Sequence, residues 1–198
     1  MQVNTDVVAD NDREGRQDIS EEAPQSRGKA ILRDIVETVV LFLVVFTLSQ
    51  LLLGNFMIEQ RSAWPHYIPG DRILVDKVFY HLTRLNRGDM IVGKWQSDTT
   101  DVFKRVIGLP GEKVEIVNNK VLINGAVLPE PYLEPGVFTA LQISGKNTWQ
   151  LGPDEYFVMG DNRIESGDSR SHGSMLAKDI VGHAWIRYWP LNKFSLIK

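Results

Sequence analysis

The chain has 198 residues, 43% of them hydrophobic, enough for one compact domain with appendages. A net charge of −3 and an isoelectric point near 5.8 argue against nucleic acid as a partner, because such binders carry a basic domain or a Lys/Arg stripe. The lack of cysteine excludes disulfides, a thiol nucleophile and a thiolate metal site. His66, His81, His172 and His183 show no metal-ligand spacing, so no metal site is expected.

Residues 1–30 are rich in Asp, Glu, Arg, Gln and Ser and nearly lack large apolar side chains, which predicts a disordered tail. An apolar run follows from Ile35 to Leu53, broken by Glu37 and a few small or amide side chains. A helix of about 20 such residues spans a bilayer, and a single span is expected over residues 31–56. A buried core helix is the alternative, but it would show a polar face, and none is visible from Thr38 to Leu53. A cleavable leader would have a shorter polar preface and a small-x-small site after Leu53, so the anchor is expected to stay attached. Arg27, Lys29 and Arg33 precede the span, and the positive-inside rule places the N-terminus in the cytoplasm and residues 57–198 on the trans side.

From Ile73 the pattern changes to short apolar runs bounded by Gly, Pro, Asn and Asp, which predicts an all-β domain. The runs are Ile73–Val75, Met90–Val92, Val102–Ile107, Lys113–Val117, Lys120–Ile123, Trp149–Leu151, Tyr156–Val158, Ile180–Ile186 and Arg187–Trp189. Asn118-Asn119 and Asn124-Gly125 read as tight turns.

Three clusters carry side chains suited to chemistry. The first, Gln60 to Arg72, contains Ser62 a few residues beyond the span, hence within roughly 30 Å of the bilayer surface. A lone serine is a weak nucleophile unless a base lies within reach, and a lone loop serine is more often structural. The second cluster, Asp101 to Glu112, alternates so that Val102, Lys104 and Val106 share a strand face. If that face is inward, desolvation lowers the Lys104 pKa toward that of a general base. The alternative is a lysine snorkelling from a half-exposed strand. The third cluster, Met159 to Arg170, holds Asp161, Asp168, Arg163 and Arg170, the makings of a structural corner or part of a site. A Ser-His-Asp triad would draw on His66, His81 or His172 with Asp161 or Asp168, but no G-x-S-x-G elbow is present.

Together with the apolar run, these clusters resemble the bacterial type I signal peptidase family, in its cyanobacterial or chloroplast-like branch, over residues 33–195. The specific matches are Phe103-Lys-Arg-Val-Ile-Gly-Leu-Pro-Gly111, Met159-Gly-Asp-Asn-Arg163 and Asp168-Ser-Arg170, supported by Gly70-Asp-Arg-Ile-Leu-Val75. The resemblance implies an antiparallel β-sheet catalytic domain behind one transmembrane helix, with Ser62 as nucleophile, Lys104 as base and no cofactor. It also implies that Ser166 orients Lys104, that Gln60 occupies an oxyanion position, and that Arg105, Asp161, Asp168 and Arg170 brace the site.

The sequence departs from the family pattern at Ala63, His66 and Tyr67, expected to shape the pocket walls, and at Ile164-Glu165. Gln60 stands where the family commonly has a serine that completes the oxyanion hole, and losing one such donor costs about 10²–10³ in rate. The implied substrate is an exported preprotein with small side chains at −1 and −3 (Ala-x-Ala), bound as an added strand. The other implied partners are the lipid bilayer, approached by aromatics such as Trp64 or Trp189, and the secretion machinery. Localisation would be the plasma or thylakoid membrane. Two other readings are a paralogue that binds signal peptides without cutting and a regulatory membrane protease.

Overall fold

A computed structural model describes residues 24–141 and 145–197; most of the expected disordered tail lies outside the described residues. Helix α1 runs from Pro24 to Leu52. Proline suits a helix start, since its missing N–H would have no partner there. Gly28–Leu52 contains an 18-residue stretch of mean hydropathy 2.3, and its 25 residues span about 37 Å, enough to cross a bilayer core of about 30 Å. Two of its hydroxyls are satisfied locally: Thr38 Oγ1 donates to Asp34 O at 2.8 Å and Ser49 Oγ to Phe46 O at 2.7 Å. Arg33 lies 3.5 Å from Glu37, one turn on.

The helix begins before residue 31 and stops before residue 56, the boundaries expected from sequence. Its end is set by strand pairing. Leu53–Met57 form β1, which pairs antiparallel with β2, Arg72–Asp76, along its whole length. A short helix α2, Phe79–Thr83, then leads to β3, Met90–Gly93, and β4, Val102–Gly108. Next come β5, Lys113–Val117, β6, Lys120–Ile123, β7, Ala126–Val127, and β8, Thr148–Gln150. The chain continues through β9, Glu155–Met159, helix α3, Ser169–His172, β10, Met175–Leu176, β11, Ile180–Trp189, and β12, Ser195–Leu196.

The fold is mainly antiparallel β, as the run pattern predicts. The larger sheet has the order β1-β2-β11-β3-β4-β9-β10, with β12 beside β11, and the smaller one β7-β6-β5-β8. Alternation is clean in β5 and β6, whose Val114, Ile116, Val121 and Ile123 are buried. Their hairpin turns at Asn118-Asn119, both at positive φ, the backbone of a tight primed turn that asparagine tolerates. Strand β4 is buried at every residue and supplies three apolar clusters: Phe103 to one, Val102 and Val106 to a second, Ile107 to a third. It is therefore a firmly packed platform on which to place a functional side chain.

Candidate active site

The link between β1 and β2 is a loop, residues 58–71, closed at its base by Ile58 N to Asp71 O (2.9 Å) and Gly70 N to Ile58 O (2.8 Å). Arg187 of β11 pins it from below, donating through Nη1 to His66 O (2.9 Å) and Asp71 Oδ2 (3.3 Å). Ala63 and Tyr67 point into the core, Tyr67 edge-on to Phe103 with ring centroids 5.2 Å apart. They thus support the loop from inside the protein, where the sequence suggests pocket walls. His66 is exposed, and its Nε2 bonds Tyr132 O at 2.7 Å. Held on both sides, Ser62 is only 3% exposed, and its Oγ donates to Phe103 O at 3.2 Å, the carbonyl just before Lys104.

Lys104 lies opposite Ile91 on β3 and is 1% exposed, which leaves no room for a snorkelling side chain. The apolar cluster that contains Ile91, Trp95, Val102, Val106 and Val158 removes water from its surroundings. Among the described residues, Nζ has no hydrogen-bond partner. Burial lowers its pKa to about 8, with Asp168 opposing, Arg170 reinforcing and Asp98 opposing the fall. A buried amine with this pKa is substantially neutral near pH 8 and can accept a proton.

The third cluster is held together by buried ion pairs. Arg105 grips Asp161 with two parallel bonds, Nε to Oδ1 at 2.8 Å and Nη2 to Oδ2 at 2.7 Å, and its guanidinium lies 4.2 Å from the centre of the Tyr132 ring. Asp168 accepts from Arg170 Nε and Nη2, both at 2.8 Å, and from Gly160 N at 3.1 Å. Arg170 Nη2 also donates to Arg163 O at 2.8 Å and reaches Ser166 O at 3.5 Å. These charges are buried and each is paired, the condition under which buried ions persist. Asn162 N donates to Ser62 O at 3.0 Å, joining this cluster to the serine loop. Gly160 sits at the junction: a Cβ there would overlap Ser62 O, Ser166 Oγ and Ser166 Cβ. Only glycine lets the two serine segments close on the same point.

A cleft of about 470 Å³ opens beside Ser62, bounded by Asn55–Gln60 on one side and Lys94, Thr99, Thr100, Asp101 and Phe103 on the other. Gln60 is exposed and lines it. The histidines considered for a triad lie elsewhere in contact: His81 rests on Tyr80 and His172 on Trp95, with centroids 3.9 and 4.8 Å apart.

Sequence reasoning missed Glu130, Thr139, Tyr132 and Arg187. Arg163 bonds both carboxylate oxygens of Glu130, at 3.1 and 2.5 Å, and the Thr139 hydroxyl. These partners come from an irregular segment with no periodicity, and no signal in the sequence paired Arg163 with them.

A buried serine bonded to the carbonyl that precedes a buried, desolvated lysine, on an antiparallel β platform, is suited to a serine hydrolase that works without histidine. The family model described as signal peptidase, peptidase S26, matches residues 31–189, and the chain belongs to that family. It is 36% identical to signal peptidase I of Bacillus caldolyticus over 77% of this chain and 88% of that protein. It is 32% identical to signal peptidase IB of Staphylococcus aureus (strain COL) over 84% of this chain and 94% of that protein. A solved signal peptidase I from Enterococcus faecalis superposes with a TM-score of 0.43 at 31% identity, over 50% of this chain and 96% of that one.

Proposed function

We propose that the chain is a membrane-anchored endopeptidase that removes signal peptides from exported preproteins, with Ser62 as nucleophile and Lys104 as general base. The observation that carries this is the Ser62 Oγ bond to Phe103 O, one residue from a Lys104 amine that is buried and unpartnered among the described residues. Neutral Lys104 takes the Ser62 proton as Oγ bonds to the scissile carbonyl carbon. The C–N bond then breaks, and the departing amine takes that proton from the Lys104 ammonium. Water, deprotonated in turn by Lys104, releases the acyl group and regenerates the serine. No cofactor enters.

The Ser62 N–H and the Gln60 side chain would stabilise the oxyanion, and Ser166 would orient Lys104. Arg105, Asp161, Asp168 and Arg170 hold these groups in place. The signal peptide would lie extended in the cleft along the free edge of β1, with small residues at −1 and −3, as in Ala-x-Ala sequences. Residues 31–56 anchor the protein in the plasma or thylakoid membrane with the N-terminus cytoplasmic and residues 57–198 on the trans side, where the secretion machinery delivers its substrates.

The test is cleavage of an Ala-x-Ala preprotein by detergent-solubilised protein. Ser62→Ala and Lys104→Ala should each abolish it. Activity that survives in either variant rejects the dyad.

A further inference from the structure

A second cavity, of about 260 Å³, is lined by Arg61, Trp64, Asn162, Ile164 and Glu165. It shares no residue with the cleft that holds Gln60, Ser62 and Phe103, yet two of its residues, Arg61 and Trp64, flank Ser62 in the chain. Asn162 ties the cavity to the nucleophile, since its backbone N–H donates to Ser62 O at 3.0 Å and its side chain Nδ2 donates to Arg61 O at 3.2 Å. The two cavities thus adjoin the serine through different residues.

The chemistry of the second cavity is apolar with a polar rim. Trp64 is 49% exposed and Ile164 78% exposed, large apolar surfaces placed beside a reactive group. The Glu165 carboxylate accepts from Asn162 Nδ2 at 3.2 Å, and Glu165 N donates to Asn162 Oδ1 at 3.3 Å. Those bonds fold the Asn162–Glu165 turn so that Ile164 lies at the mouth rather than in the core.

An extended peptide cut at Ser62 must leave the nucleophile in two directions. The first cleft takes the residues before the scissile bond in the proposed reaction, on which this inference rests. We infer that the second cavity is the subsite for the first residues after the bond, and that Trp64 and Ile164 select an apolar side chain at +1 or +2. The occupant is the N-terminal segment of the mature protein. One residue of extended chain advances about 3.3 Å, so only the first two residues lie close enough to the serine to use walls supplied by its own flanking residues.

The discriminating experiment uses the full chain in detergent and one Ala-x-Ala preprotein with +1 and +2 set in turn to Gly or Leu. The ratio of kcat/KM for Leu over Gly at the preferred position should be about tenfold, the usual worth of filling an apolar pocket. Ile164→Asp and Trp64→Ala should each bring the ratio near one; the high exposure of Ile164 makes the first of these safe for folding. A wild-type ratio near one with cleavage intact overturns this inference alone. Failure to cleave any of the set overturns the proposed reaction beneath it. A ratio that survives both substitutions also overturns the inference.

Discussion

Lys104→Met should make the protein more stable and inactive. The side chain is 1% exposed, and burial has lowered its pKa from an ordinary 10.5 to about 8. That fall is equivalent to roughly 3 kcal/mol by which the native state disfavours the charged amine. The sign follows from proton binding. Below pH 8 both states carry the proton and the full cost stands; between about 8 and 10.5 the unfolded chain binds a proton the native protein does not, so stability rises with pH; above 10.5 the cost is gone. Methionine fills nearly the same volume without the charge. At pH 7 the variant should melt higher by about 6–12 °C, at about 2–4 °C per kcal/mol for a protein of this size. Thermal unfolding of both proteins in the same detergent, followed by tryptophan fluorescence from pH 7 to 10.5, is the assay, and the difference between them cancels every titrating group that they share. The advantage of methionine should shrink steadily above pH 8. A variant no more stable at pH 7, or an advantage that does not change with pH, refutes the claim that Lys104 is held desolvated.

The same amine sets the rate. Since the neutral form is the base, kcat/KM should rise with pH and level off above an apparent pKa of about 8; a profile flat from pH 6 to 9 counts against it. Gly160→Ala puts a methyl group onto the Ser62 carbonyl and Ser166, so it should cost about 1–3 kcal/mol in stability and about 100-fold in rate. Equal activity would show that the two loops can separate freely. Gln60→Ser should raise the rate, by about tenfold or more if a hydroxyl completes the oxyanion hole, whereas a slower enzyme would show that the glutamine amide is already the donor. Glu130→Ala leaves Arg163 buried beside Thr139 without its carboxylate, and denaturant unfolding should show a loss of about 3–5 kcal/mol; a loss under 1 kcal/mol would mean that the segment detaches without consequence.

Local chemistry in the sequence determined much of this protein. An apolar run with no polar face from Thr38 to Leu53 has few uses other than a membrane span. Period-two alternation in Lys113–Val117 and Lys120–Ile123, with asparagines between them, already contains a hairpin and its turn. The three motif clusters named residues that do lie together, because short motifs keep their meaning wherever the chain places them. Boundaries were less legible: the span expected from sequence runs to residue 56, yet pairing with Arg72–Asp76 makes Leu53–Met57 a strand.

Only the tertiary structure could decide which side chains lose water. The alternation in β4 allowed Lys104 to be buried or to snorkel, and the choice was made by the tertiary packing of β4, which lies between β3 and β9 and is buried along its whole length. Likewise, Ala63 and Tyr67 look from sequence like pocket walls but are core, and Arg187 and Glu130, far from any motif, hold the serine loop and Arg163. Propensity and periodicity are encoded in neighbouring residues, whereas desolvation and charge pairing depend on contacts across tens of residues. Ser62 and Lys104 are legible as candidates in the sequence; the pKa of about 8 comes from the fold.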